Sequence, residues 1–211
     1  MKKILFFTLF FSFQACAQYP KNWWKPIKAE DKKSWEILPQ EAKKGEVILS
    51  KRTELGVFSN LGLAPFDFEE IRYESVEALW QSLKYPDDKI ESDPRKGQVY
   101  PYTRDEVFHL SGFESKKAGD AANKIMKANK IKWVSYKGKI FNYKDKAKGS
   151  KFHYDLIYKA TKAKINQNPK LKKLLLKTKG LKLLPDHKIR KSSPASYFYN
   201  KILMKIRVNL K

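Results

Sequence analysis

Apolar and polar positions fall into two spacings along the chain. Residues 46–50, Glu46-Val47-Ile48-Leu49-Ser50, form a short β-type run, and residues 66–73 alternate enough to predict a second strand. Beyond that point helical spacing dominates. Residues 75–85 read as a helix with Val76, Leu79, Trp80 and Leu83 on one side. The stretch 93–103, opened by Asp93-Pro94 and carrying Gly97, predicts a loop. Helices follow over 104–110 and 115–129, the second with Ala118, Ala121, Ala122 and Ile125 at helical spacing. Residues 131–136 fit a strand or a helix start, 137–150 form a Lys/Gly-rich loop, and 152–166 predict a helix. Asn168-Pro169 then supplies a cap and a first-turn proline, Leu171, Leu174 and Leu175 an apolar stripe, and Gly180 a stop. The last helix is predicted over 194–210, burying Tyr199, Ile202, Leu203, Ile206 and Leu210. A few short strands among many helices, without βαβ alternation or repeats, indicate a mostly helical α+β fold in a single domain.

The start changes the domain picture. Met1-Lys2-Lys3 precedes an apolar run over 4–13 and then Gln14-Ala15-Cys16-Ala17, the layout of a secretory signal peptide. The run is shorter than the roughly 20 residues that span a bilayer. Two cleavage schemes fit: Ala15-Cys16-Ala17 suits an ordinary signal peptidase, and Ala15-Cys16 also suits a lipoprotein box, which would leave Cys16 lipidated and the chain anchored to a membrane. The expected organisation is a leader over 1–17, a tether over 18–45 with Trp23, Trp24 and Trp35 embedded in it, and a folded domain over 46–211; the expected location is outside the cytoplasm.

Composition adds a partner class and removes several chemistries. Lys and Arg number 45 against 22 Asp and Glu, a net charge of +23, which favours phosphate-bearing partners: nucleotides, nucleic acid or an anionic membrane surface. Cys16 is the only cysteine, so a disulfide framework, a zinc-cysteine cluster and a cysteine nucleophile in the domain are excluded. GxGxxG, GxxxxGK[ST], GxSxG and HExxH are all absent, which counts against dinucleotide-binding oxidoreductases, P-loop NTPases, serine hydrolases and zinc proteases. His109, His153 and His187 lie far apart in sequence, and no metal site is expected from them. What remains is a polar stripe: Glu77, Gln81 and Lys84 fall at i, i+4 and i+7 and share one helix face bordering the apolar one.

Phe58-Ser59-Asn60, followed by Tyr73-x-Ser75-x-Glu77-x-x-Trp80-Gln81-x-x-Lys84-Tyr85, resembles the opening signature of the NADAR or YbiA-like superfamily of N-glycosidases. The resemblance continues in Ala160-x-Lys162-Ala163-Lys164-Ile165-x-Gln167-Asn168, in Leu174-Leu175-Leu176-x-Thr178, and in Ile202-Leu203-Met204-x-Ile206-Arg207. Together these motifs span about residues 46 to 210 in the family's order. The likeness implies a YbiA-like fold and cleavage of the bond between a base or amine and ribose in a phosphoribosyl or ADP-ribosyl compound, with no cofactor. It implies that Glu77 is the catalytic carboxylate, that Asn60, with Phe58 and Ser59 beside it, belongs to the pocket, and that Trp133 stacks near the substrate. Trp80, Gln81 and His187 join the substrate-binding candidates, and Lys84 and Lys164 are candidates for holding phosphates. Such a role for Glu77 makes physical sense, because breaking a C1′–N bond builds positive charge on the sugar that a carboxylate can stabilise.

The chain also departs from the family's pattern. Ala78 stands where the family has His, Val76 replaces its Ser, and no D-x-W-G segment follows. Leu184-Pro185-Asp186-His187 occupies that neighbourhood, where Asp186 is a candidate second carboxylate or an ordinary turn residue. These departures leave two alternatives to catalysis: a binding module for ADP-ribose or a nucleotide, or a nucleic-acid binder acting through its lysines.

Overall fold

The computed structural model describes residues 19–145 and 149–210. The expected leader over 1–17 and its Cys16 lie outside the described residues. Among the described residues are six α-helices and six three-residue strands, an α+β and mostly helical fold.

Strands β1 (Glu46–Ile48) and β6 (Lys182–Leu184) pair in parallel across most of the chain, with Val47 opposite Leu183. Both of those side chains are buried, so the pairing is driven by the core. The segment expected as one strand over 66–73 is instead a hairpin, β2 (Phe66–Phe68) and β3 (Ile71–Tyr73). Its turn residues Glu69 and Glu70 adopt positive φ of 50° and 74°, the geometry of a type I′ turn without the glycine or asparagine that usually announces one. A second hairpin, β4 (Val134–Tyr136) and β5 (Lys139–Phe141), turns through Lys137 and Gly138 at φ 50° and 82°, so the predicted loop over 137–150 contains a strand.

The helices are α1 (Val76–Ser82), α2 (Arg104–Phe108), α3 (Gly112–Ala128), α4 (Gly149–Gln167), α5 (Pro169–Lys177) and α6 (Tyr199–Val208). Helix α1 is shorter than the predicted 75–85: Ser75 caps it by accepting from the Ala78 N–H at 3.0 Å, and the chain leaves the helix at Leu83. The stretch predicted as one helix over 194–210 splits at Phe198 (φ −83°, ψ 61°) into a 3-10 turn, Ala195–Tyr197, and α6. Asn168 precedes α5 as expected, but its side chain does not cap that helix and donates instead to the carbonyls of Pro65 and Lys164. The core joins Val47 and Leu183 to Phe66, Tyr73, Leu79, Ile157 and Leu203, and α1 lies against α2, α3 and α4 at its centre.

The segment before β1 packs onto this core. Trp23 is fully buried and donates to Glu54 Oε1 at 2.7 Å, and Trp24 donates to the Glu46 carbonyl at 2.9 Å. Further along, Glu36 pairs with His187 in an isolated antiparallel bridge.

Candidate active site

Helix α1 forms the floor of a cavity of about 730 Å³, within the usual range for small-molecule sites. Glu77, Trp80, Gln81 and Lys84 all line it, together with Ser59 and Asn60 from the loop before β2 and Asp120 and Lys116 from α3. Tyr197, Tyr199, His187 and Lys188 come from the C-terminal part, and Trp35, Glu36 and Ile37 from the N-terminal segment.

Backbone and side-chain bonds fix the loop that carries Asn60. The Glu77 N–H donates to the Asn60 carbonyl at 2.9 Å, tying the loop to the first turn of α1. A β-carbon on Gly62 would fall 2.3 Å from the Val57 carbonyl oxygen, so the close turn excludes any larger residue there. Lys164, from α4, donates to the carbonyls of Val57, Ser59 and Gly62 at 2.9, 3.1 and 3.1 Å. These acceptors match the three N–H bonds of an ammonium group. Burial nevertheless pulls the Lys164 pKa down to about 7.

Glu77 is half-buried, and burial raises its pKa above the ordinary carboxylate value. Gln81 Nε2 donates to Glu77 Oε1 at 2.5 Å, and Lys84 acts on it electrostatically; both oppose the rise. Burial also pulls Lys84 down, to about 8, with Glu77 partly restoring it. The pair is thus poised nearer neutrality than free side chains would be. Lys84 Nζ sits 5.0 Å from the Trp80 ring centre. Trp80 in turn packs on His153 at 4.2 Å and on Tyr143 at 4.8 Å. Burial lowers the His153 pKa to about 3, so that ring is a neutral support for Trp80.

Four expected site residues take other places. Phe58 is buried in the core, beneath the loop. Lys164 is committed to the loop carbonyls, so it shapes the site from behind in place of holding a phosphate. Trp133 does not line the cavity and stacks instead against the Arg95 guanidinium, 4.4 Å from its ring centre. Asp186, expected as a second catalytic carboxylate, is 0% exposed and lies behind the wall. Its two oxygens meet Lys51 Nζ at 2.5 Å and His187 Nδ1 at 2.9 Å. Burial works to raise its pKa, but those two partners outweigh it and hold the carboxyl below its usual value. Asp186 therefore anchors two cavity-lining side chains without reaching the cavity itself.

Trp35, Lys51, Phe113, Lys116, Lys188, Tyr197 and Tyr199 line the cavity but carry no sequence signature. The one cue available is Trp35, a large aromatic in a polar, Pro-punctuated stretch. Among the described residues, no group of His, Cys, Asp or Glu is arranged to hold a metal ion.

No described protein family matches the chain, and no curated protein does. Among solved structures the chain is similar to the NMR structure of the E. coli protein YbiA, with 19% identity over 79% of this chain and 88% of that one and a TM-score of 0.48.

Proposed function

We propose that the cavity hydrolyses the C1′–N bond between a base or amine and ribose in a phosphoribosyl or ADP-ribosyl compound. The observation that carries this reading is Glu77: a half-buried carboxylate with a raised pKa on the floor of a cavity, bonded by Gln81 and flanked by Lys84. As the C1′–N bond lengthens, positive charge develops on the sugar, and a carboxylate partly shielded from water stabilises it more strongly than an exposed one would. The carboxylate can take the proton from the attacking water as the O–C1′ bond forms and the C1′–N bond breaks, and that proton then passes to the leaving nitrogen, which restores the carboxylate. Gln81 orients the carboxylate. The lysines that line the cavity, Lys32, Lys51, Lys84, Lys116 and Lys188, supply positive charge for the phosphates.

The motif resemblance points the same way, and the position where that family has His is informative here. Ala78, which stands there, is fully buried and is not among the residues that line the cavity. The test is release of free base from a ribosylamine phosphate or from ADP-ribosylated guanine, followed chromatographically. Glu77→Gln keeps the size and one hydrogen-bonding oxygen but removes the charge, and the rate is expected to fall on the order of a hundredfold or more. Full release by a folded Glu77→Gln protein would remove Glu77 from the mechanism. ADP-ribose binding by the native protein without any turnover would favour a binding module instead.

A further inference from the structure

Trp35 and Glu36 invert the usual rule for what a protein buries. The charged residue is 4% exposed, and the large aromatic beside it is 45% exposed and lines the cavity. The backbone around Trp35 is nonetheless held firmly. Arg52 grips Glu36 with two bonds of 2.9 Å each, and this contact holds the Glu36 carboxyl below its usual pKa. Arg52 also donates to the Asp31 carbonyl at 2.6 Å. On the other side, the Ile37 N–H donates to the Asp186 carbonyl at 2.7 Å. The carboxylate of that same Asp186 holds Lys51, whose Nζ stands 5.3 Å from the Trp35 ring centre. An indole left half bare on a clamped backbone, with a fixed cation over it and a catalytic-type carboxylate in the same cavity, is a preorganised stacking surface.

We infer that Trp35 is a specificity-determining residue: its ring stacks on the planar heterocycle of the ligand, while Lys51 meets a neighbouring phosphate. The inference deepens the glycosidase reading and rests on it for the ligand class. It also assigns a binding role to the segment before β1, which lies outside the stretch that carries the motif resemblance.

The test compares two probes by calorimetry on the full chain: ADP-ribose, which carries a heterocycle, and ribose 5-phosphate, which does not. Trp35→Ala is expected to weaken ADP-ribose binding about tenfold or more, as loss of one stacked base does, and ribose 5-phosphate binding by less than about threefold. Trp35→Phe is expected to recover most of the loss. Equal weakening of both probes would make Trp35 a scaffold residue, and no weakening of either would remove it from the site; both outcomes overturn the inference. If native protein releases base while Trp35→Ala binds ADP-ribose like the native chain, the inference falls and the glycosidase reading stands. If the native protein releases no base from either substrate, the glycosidase reading falls, and the two-probe comparison still reads the stacking.

Discussion

Glu77 and Lys84 shift each other, and their shifts set a pH dependence. The proposed mechanism requires Glu77 ionised, and burial raises its pKa, so activity is expected to rise with pH along a limb above the ordinary carboxylate range. Lys84 titrates near 8, so above that pH the cavity loses a positive charge that stabilises the carboxylate and attracts phosphate, and activity is expected to fall. A bell-shaped profile of kcat/KM against pH follows. In Lys84→Met the alkaline limb disappears, and the acid limb moves to higher pH because the charge that lowers the Glu77 pKa is gone. An alkaline limb that persists in Lys84→Met would assign it to another group. That Glu77, Gln81 and Lys84 share a face is legible in their spacing, because one short helix carries nearly the whole set. The roles of Lys164 and Asp186 are not legible. Both depend on partners about a hundred or more residues away, the loop carbonyls at 57–62 for one and Lys51 for the other.

Between elements, α1 packs directly against α3 at the site. A β-carbon on Gly119 of α3 would stand 1.7 Å from Gln81 Oε1 and 2.1 Å from its Cδ, so the Gln81 amide occupies the space that this glycine leaves. That oxygen is buried without a hydrogen-bond partner, while the amide nitrogen bonds Glu77. Gly119→Ala is therefore expected to turn Gln81 away and break its bond to the Glu77 carboxylate. The gain of about 1 kcal/mol in helix propensity offsets the local crowding, so the urea midpoint should move little. Turnover should fall about tenfold to a hundredfold, as it does when a reacting group is displaced by about 1 Å. Unchanged turnover in the folded variant would show that Gln81 does not position Glu77. The elements themselves are unevenly legible. Helices α3 to α5 follow from their apolar stripes and the proline at 169, whereas the β2–β3 hairpin hides because Glu69 and Glu70 take a turn conformation that sequence assigns to Gly or Asn. The β1–β6 pairing hides because parallel partners far apart in sequence leave no local mark.

At the scale of the whole molecule, a net charge of +23 acts on any polyanion, whether or not the cavity takes part. Many lysines lie on exposed helix faces and do not line the cavity, including Lys124 and Lys127 on α3 and Lys170 and Lys173 on α5. A surface of this kind binds duplex DNA by releasing counterions, and the logarithm of affinity falls linearly with the logarithm of salt. If about six phosphates are neutralised, affinity should drop on the order of a thousandfold between about 50 and 200 mM salt. Glu77→Gln and Trp35→Ala should leave that slope unchanged, because neither alters a surface lysine. ADP-ribose behaves differently under the same titration. It presents two phosphates to a partly enclosed cavity and gains part of its affinity from stacking, so its salt dependence should be several times shallower and its binding sensitive to Trp35. Filter binding for DNA and calorimetry for ADP-ribose, run over one salt series, separate the two modes. Equal slopes, or a DNA affinity that follows the Trp35 substitution, would mean that a single site serves both ligands and that the cavity, not the lysine surface, is where nucleic acid is held.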